Sequence, residues 1–270
     1  MTTFDEAISW RRRGEDLRWD GAIPESWLQG RTAFGGLSGA IGLRAMREAI
    51  ADERPPRTVD VAFVAPVVAG PASATVEILR RGRNLTQASA RIVQEGAVRA
   101  IVSGVFANPR RSGVRVDAGE ARPPIPVAEA RELPFIPGVT PTFTQHLDLR
   151  WADGGFPFSG HHTEGIAGYC RHRTRAAGVE ALLALVDAWP APVLPLLDRP
   201  THASTVRWTV HLVGDAPASD DYCWLRSTTV AAGDGYATTE ARLYGPDARL
   251  LAWAEQLVAV FDDPGPEDAG

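Results

Sequence analysis

The stretch "FGGLSGAIGLRAMREAIADE", residues 34–53, has an apolar stripe with its charges gathered at the end, which predicts a helix that opens on glycines. Strand-like runs follow it directly, and the turns between them carry Gly, Pro or Asn. These runs are "RTVDVAFVAPV" (57–67), "ASATVEILRRG" (72–82), "NLTQASARIVQEG" (84–96) and "VRAIVSGVFA" (98–107). One helix followed by four consecutive strands is therefore the predicted unit of this part of the chain.

The second half of the chain repeats that unit. A helix is predicted over "GVEALLALVDAW" (178–189), where Pro190 stops it. A strand-like segment at 144–151 precedes it, followed by a Gly-rich loop and the stretch "TEGIAGYCRHRT" (163–174). Four more strand candidates come after the helix, at 203–213, 221–232, 236–245 and 248–261. Strands in consecutive runs, rather than in alternation with helices, favour antiparallel sheets. A long helix on a curled antiparallel sheet is the hotdog arrangement, so the predicted fold class is α+β, a double hotdog of two tandem halves.

Composition shifts suggest the boundaries of these halves. The stretch 109–134 is rich in Pro and charge and has weak periodicity, which is typical of a linker. The sequence thus predicts an N-terminal hotdog over 1–108 and a C-terminal hotdog over 135–262. The end of the chain, 263–270, is expected to be disordered.

The overall composition of the 270 residues excludes several classes of chemistry. All 28 basic residues are Arg, so Schiff-base catalysis, covalent pyridoxal phosphate and a Walker P-loop, which need Lys, are ruled out. The net charge of −5 argues against a nucleic-acid partner. Long apolar runs and a signal-peptide pattern are missing, so we expect a cytoplasmic protein without membrane association. Cys170 and Cys223 lack the spacing of a disulfide framework or a zinc site and are expected to be structural thiols.

Asp187 is the one charge in the apolar run "ALLALVDAWPAPVL" (181–194). A carboxylate on an apolar helix loses hydration, and this raises its pKa above the usual value of about 3.9. The negative end of the helix dipole acts in the same direction. A carboxylate tuned in this way suits a general base near neutral pH. The alternative is an Asp that has turned to solvent or pairs with an Arg such as Arg199.

Gln256 and Thr205 are the polar candidates on strands. By the period-two rule, Gln256 is the only polar residue on the apolar face of "ARLLAWAEQLVAVF" (248–261), where it could orient a water or simply bond to the backbone. The same rule puts Thr205 on the polar face of "STVRWTVHL", opposite the face of Val206 and Trp208. That polar face is either exposed or the wall of a pocket, and Thr209 replaces Thr205 if the register is off by one pair.

Two further groups are candidates for substrate binding. Arg80, Arg81, Arg83 and Asn84 form the turn "RRGRN", whose guanidinium groups could bind the phosphates of a ligand or could simply be solvated. The segment Arg171, His172 and Arg173 is a second patch of this kind. Gly35 and Gly36 open the first helix, where amides could polarise a carbonyl, although close helix packing explains the same glycines.

Three other enzyme classes fit the sequence poorly. "GLSGA" (36–40) resembles a nucleophile elbow around Ser38, but consecutive strands follow it instead of βα alternation. His161, His162 and Glu164 lie in a glycine-bounded segment and do not match a zinc-protease helix. The Asp-to-His spacing that hotdog dehydratases need is also missing.

The order and spacing of these stretches resemble the type II acyl-CoA thioesterases, which are double-hotdog enzymes. The resemblance covers most of residues 15–262. In the first half it rests on "RTAFGGLSGA" and "LRRGRNLTQASARIVQEG", and in the second half on "LVDAWP", "ASTVRWTVHL" and "LLAWAEQ".

This resemblance implies hydrolysis of acyl-CoA to free fatty acid and coenzyme A, without metal or cofactor. In the family, an Asp, a Thr and a Gln hold the attacking water, and these fall on Asp187, Thr205 and Gln256. A homo-oligomer is also expected, since hotdog halves commonly assemble further. A non-catalytic acyl-CoA-binding protein on the same fold is the alternative, because a fold alone does not give activity.

Overall fold

A computed structural model describes residues 2–116, 119, 121–163, 165–218 and 220–262. The helices are α1 (Phe4–Ile8), α2 (Gly35–Ile50) and α3 (Val179–Val186). The strands of the first half are β1 (Arg11–Arg12), β2 (Arg18–Ile23), β3 (Leu28–Gln29), β4 (Thr32–Ala33), β5 (Pro56–Phe63), β6 (Gly70–Arg81), β7 (Leu85–Gln94) and β8 (Ala97–Ala107). Those of the second half are β9 (Arg131–Leu133), β10 (Leu147–Asp153), β11 (Gly165–His172), β12 (Ala203–Leu212), β13 (Cys223–Gly233), β14 (Tyr236–Tyr244) and β15 (Leu250–Val260).

Within the described residues, thirteen strands form one antiparallel sheet in the order β1-β2-β6-β7-β8-β5-β12-β15-β14-β13-β11-β10-β9. The order β2-β6-β7-β8-β5 of the first half returns in reverse as β12-β15-β14-β13-β11 in the second. The two halves meet where β5 pairs with β12, with Val61 opposite Trp208. The predicted α+β double hotdog is therefore confirmed, with the two sheets joined into one.

The two helices that the sequence predicts, α2 and α3, pack against each other on the inner side of this sheet. Leu37 and Leu43 of α2 and Leu183 of α3 are fully buried. A Cβ atom at Gly36 would come within 2.9 Å of the Cα of Ala184, so the absence of a side chain lets the helices approach closely. This contact brings the N-terminus of α2 to the C-terminal end of α3.

An ion pair also joins the two helices. Arg47 of α2 donates to the carboxylate of Glu180 in α3 at 2.7 Å, and the Glu180 side chain is buried. A buried carboxylate needs such a partner because its lost hydration must be replaced. The pair therefore fixes the end of α2 that lies away from Gly35.

The observed elements differ from the predicted ones in several places. β2 has mixed burial, which hides it from a search for alternating strands, and it extends the sheet beyond the predicted unit. β9 lies inside the predicted linker and pairs with β10. The residues before it also pack on the sheet, since the Tyr169 hydroxyl donates to the Ile125 carbonyl. The predicted tail, 263–270, lies outside the described residues.

Smaller differences concern the ends of elements. The start of segment 144–151 belongs to a 3₁₀ turn, Thr142–His146, which comes before β10. α3 ends at Val186, so it is shorter than predicted and Asp187 is its C-cap. In the described part of the chain, no helix has both the length and the apolar character needed to cross a bilayer.

Candidate active site

Asp187 lies where the end of α3 meets the start of α2. Its Oδ2 atom accepts a hydrogen bond from the backbone amide of Gly36 at 2.8 Å. A Cβ atom on Gly35 would come within 2.6 Å of this same oxygen, so the missing side chain of Gly35 makes room for the carboxylate. The first amides of a helix lack partners within the helix, and here one of them binds a carboxylate.

Gln256 holds the other oxygen of this carboxylate. Its Nε2 atom donates to Asp187 Oδ1 at 3.0 Å. Along β15 the neighbours on the same face, Ala254 and Val258, are buried, as the alternation in the sequence predicts. Gln256 is therefore on the inner face of the sheet and is hydrogen-bonded to the Asp187 side chain.

Thr205 joins the same chain of hydrogen bonds, because its hydroxyl donates to Gln256 Oε1 at 3.3 Å. The sequence alternation predicts the opposite face for Thr205, and that prediction is wrong. A β-bulge lies between Thr205, which pairs with Val258, and Arg207, which pairs with Leu257. Val206 is the extra residue, and it is exposed rather than buried. One inserted residue reverses the alternation, so Thr205 shares the inner face with Trp208.

Thr209 is the sequence-based alternative to Thr205, and its side chain lies on the opposite face of β12. Its hydroxyl donates to Asp60 of β5 at 2.8 Å, on the face where Arg207 also pairs with Asp60. Because the bulge precedes Arg207, Thr209 keeps the face that the sequence predicts. The two threonines of β12 therefore point in opposite directions.

The protonation of Asp187 is shifted strongly. Burial removes hydration from the carboxylate and raises its pKa to about 7, although the hydrogen bonds from Gln256 and Gly36 lower it. Each carboxylate oxygen accepts one of these bonds and keeps capacity for another. Asp187 can thus accept a proton from a bound molecule near neutral pH, and its orientation is fixed from two sides.

These side chains line a pocket of about 310 Å³. Its walls come from both halves of the chain: Gln29, Thr32 and Ala33; Gly35 and Ser38; Phe63, Val64, Ala65, Pro66 and Val67; Asp187, Trp189, Ala191 and Leu194; and Ala203, Ser204, Thr205, Gln256 and Val258. Asp187 is the one ionisable group among these residues. A neutral, partly apolar group therefore fits this pocket better than a charged one.

The turn with Arg80, Arg81, Arg83 and Asn84 lies far from this pocket. β6 starts near the pocket wall and ends at Arg81, about 36 Å further along at the usual rise per strand residue. Arg81 donates to the carbonyl of Ile50, the last residue of α2, whereas Asp187 lies at the first turn of that helix. The structure therefore does not bring these four predicted substrate-binding residues to Asp187.

The second basic patch has structural partners. Arg171 pairs with the buried carboxylate of Asp148 at 3.1 Å, and Arg173 donates to the Leu147 carbonyl. The His172 ring is buried against the Ala181 carbonyl, and burial lowers its pKa to about 4. These contacts make the patch part of the sheet framework.

The residues that other enzyme classes would use lie away from a catalytic arrangement or serve the fold. Ser38 lies within α2, where its hydroxyl contacts the Phe34 carbonyl at 3.5 Å. His161 and His162 are exposed, and Glu164 lies outside the described residues. Cys170 and Cys223 are buried, free thiols on adjacent strands, in line with the structural role expected of them.

Two features of the site were missed by sequence reasoning. The Gly36 amide was expected to polarise a substrate carbonyl, but it binds Asp187 instead. The bulge at Val206 carries no local signal such as Gly or Pro, so the inward turn of Thr205 could only be carried over from the family resemblance.

Comparisons with known proteins agree with this fold. Among solved structures, a hot dog fold protein of unknown function from Alicyclobacillus acidocaldarius has a TM-score of 0.84 at 23% identity, covering 95% of this chain and 97% of that one. A thioesterase II candidate from Thermobifida fusca YX has a TM-score of 0.82 at 26% identity, covering 96% and 98%. An acyl-CoA thioesterase II from Mycobacterium marinum has a TM-score of 0.75 at 17% identity, covering 96% and 98%. A comparison with curated proteins found no match.

Family models match both halves. Residues 23–107 match the acyl-CoA thioesterase N-terminal domain, and residues 123–260 match the acyl-CoA thioesterase C-terminal domain. The matched regions include α2 with Gly35 and Gly36 in the first half, and Asp187, Thr205 and Gln256 in the second. The chain therefore belongs to the acyl-CoA thioesterase family.

Proposed function

We propose that the protein hydrolyses the thioester of acyl-CoA to a free fatty acid and coenzyme A. The observation that carries this proposal is the hydrogen-bonded series Thr205–Gln256–Asp187 on the wall of a pocket. The family match supports thioester hydrolysis in general, and the roles of the individual residues are our proposal.

In this mechanism Asp187 is the general base. With a pKa of about 7, Asp187 is ionised in about half of the molecules at neutral pH. The ionised carboxylate is more basic than an ordinary one, which favours its taking a proton from water. Gly36 and Gln256 occupy one acceptor position on each carboxylate oxygen, which leaves room for a water. The Thr205 hydroxyl and the Gln256 amide supply further polar groups that orient this water.

The water attacks the thioester carbonyl directly. Its oxygen bonds to the carbonyl carbon while Asp187 takes its proton, and the tetrahedral intermediate then expels the thiolate of coenzyme A. Asp187 returns the proton to this thiolate, so the carboxylate is regenerated in each cycle. Since the Gly36 amide is bound to Asp187, we assign it to holding the base. The Gly35 amide stays a prediction for binding the oxyanion.

The test is turnover of an acyl-CoA panel, from acetyl to palmitoyl with aromatic thioesters, by the parent protein and Asp187→Asn. We expect the parent to hydrolyse at least one substrate and the variant to lose about a hundredfold or more of that rate, as for removal of a general base. Asn has nearly the same volume, and its amide can bond to Gly36 and to a rotated Gln256, so folding should persist. Unchanged hydrolysis would refute the mechanism. Binding of acyl-CoA without hydrolysis by the parent would favour the non-catalytic alternative.

Other expectations remain predictions. Self-association is one, and light scattering of the purified chain measures it. A cytoplasmic location is another, and cell fractionation measures it.

A further inference from the structure

A group of arginines lies on the outer face of the sheet, at the edge formed by β1 and β2. Arg11 of β1 is directly opposite Asp20 of β2, and the Arg13 amide donates to the Arg18 carbonyl. Residues two apart on a strand share a face. Arg11, Arg13, Arg18 and Asp20 therefore share one face, while Trp19 points into the core on the other.

Asp20 organises two of these guanidinium groups. Arg13 Nε lies 2.5 Å from one carboxylate oxygen, and Arg18 Nε lies 2.9 Å from the other. Each guanidinium uses its Nε–H for Asp20, so its other N–H donors remain for a ligand. Asp20 cancels one of the three positive charges and Glu95, which also lines the groove, cancels a second, so the lining keeps one net positive charge. Asp20 also holds the Arg13 and Arg18 guanidinium groups side by side. This is a suitable arrangement for a group with several phosphate oxygens.

The arginines border a groove of about 680 Å³, larger than the Asp187 pocket. Its floor follows one row across the sheet, from Asp20 to Ser73 of β6 and on to Val93 of β7. The groove is thus an outer surface of the first half, built on regular strands rather than on a loop.

One loop separates this groove from the Asp187 pocket. Val67 lines the pocket and Pro71 lines the groove, so the two cavities lie within about 14 Å of each other, the reach of four extended residues. Gln94 fixes the loop between them, because it accepts from the Val68 amide at 2.9 Å and donates to the Val68 carbonyl at 2.8 Å. This short separation is the observation from which one ligand with an end in each cavity is inferred.

We propose that the groove bordered by Arg11, Arg13 and Arg18 binds the phosphates of coenzyme A while the thioester lies at Asp187. This inference rests on the proposed function, since it takes acyl-CoA as the substrate. In coenzyme A, the pantetheine arm lies between the thioester and the phosphates. We infer that this arm crosses the Val67–Pro71 loop. The "RRGRN" turn at the other end of β6 lies too far along the strand for this role.

The test compares two thioesters of the same acyl group, one on coenzyme A and one on N-acetylcysteamine, which lacks the nucleotide and its phosphates. Arg11→Ala/Arg18→Ala should raise KM for the coenzyme A thioester about tenfold or more, the loss expected from one or more charge-assisted hydrogen bonds. The same variant should leave kcat/KM for the N-acetylcysteamine thioester unchanged.

The matched control is Arg226→Ala/Arg242→Ala. These are exposed, cross-strand arginines of β13 and β14, and Arg242 pairs with Glu240 as Arg18 pairs with Asp20. The control should leave both KM values unchanged. An equal effect of both variants, equal effects on both thioesters, or a tenfold effect from Arg80→Ala/Arg83→Ala instead would overturn the proposal.

A binding measurement keeps the inference separate from catalysis. Titration calorimetry with adenosine 3′,5′-bisphosphate should show binding to the parent and about tenfold weaker binding to Arg11→Ala/Arg18→Ala. Inorganic phosphate that binds as tightly as the bisphosphate would contradict a nucleotide-end site. If the parent hydrolyses neither thioester, the proposed function fails, while this titration still decides whether the groove binds the nucleotide.

Discussion

Gln256 Nε2 donates a hydrogen bond to Asp187 Oδ1 at 3.0 Å, although the two residues are 69 positions apart in the chain. The bond connects the central strand β15 to the end of α3, and the Gly36 amide connects that same carboxylate to α2. Three elements from both halves therefore meet at one side chain. Together these contacts fix the orientation of a partly buried carboxylate.

Thr205→Val should lower kcat about tenfold, because it removes a hydroxyl that contacts Gln256 while it keeps the shape of the side chain. The matched control is Thr209→Val, which removes a hydroxyl on the opposite face of the same strand. Steady-state kinetics of both variants measure the difference. Equal effects on kcat would show that the bulge at Val206 has no functional consequence.

Gly35→Ala should reduce kcat strongly, since its Cβ would come within 2.6 Å of Asp187 Oδ2 and displace the carboxylate. Gly39→Ala is the control in the same helix, where the new Cβ would meet Trp208 at 3.1 Å but not Asp187. Activity per folded molecule, with folding followed by circular dichroism, separates the two effects. If Gly39→Ala loses as much activity as Gly35→Ala, the contact with Asp187 is not the cause.

The raised pKa of Asp187 also predicts how stability depends on pH. The folded protein holds a proton up to about pH 7, whereas the unfolded chain releases it near the ordinary value of 3.8. The stabilisation from this proton is present below pH 3.8 and is lost as pH rises through about 7. Asp187→Asn lacks this titration, so its free energy of unfolding relative to the parent should rise between pH 4 and 8. The pKa difference between the folded and unfolded states limits this change in relative free energy of unfolding to on the order of 4 kcal/mol.

Urea unfolding of both proteins at several pH values measures this difference. A parallel pH dependence of parent and variant would contradict the raised pKa. Asn and protonated Asp are similar in volume and polarity, so the comparison near pH 4 serves as the internal reference.

The sequence predicts the fold well where hydrophobic alternation is uninterrupted. β15 keeps its period of two from Ala252 to Val260, so the inward face of Gln256 could be predicted from residues alone. Asp187 was found because a charge in an apolar helical run is unusual. These two predictions depend on local patterns, which a single sequence contains.

The remaining features depend on contacts that a local pattern does not encode. One extra residue at Val206 reverses the face of Thr205, and its exposed position is set by pairing with β15 rather than by its own type. The residues of the "RRGRN" turn favour a phosphate site. The direction of β6, however, brings this turn to the C-terminal end of α2, away from Asp187. Arg11, Arg13 and Arg18 come together only through the pairing of β1 with β2.

The pH dependence of kcat/KM for the parent protein tests the central claim most directly, because it reports the ionisation of the free enzyme's base. If Asp187 is that base, it must be deprotonated to act, so kcat/KM should rise with pH, with a midpoint near the pKa of about 7, and then level off. A profile that is flat from pH 5 to 8, or that has its midpoint near the ordinary carboxylate value, would contradict this account.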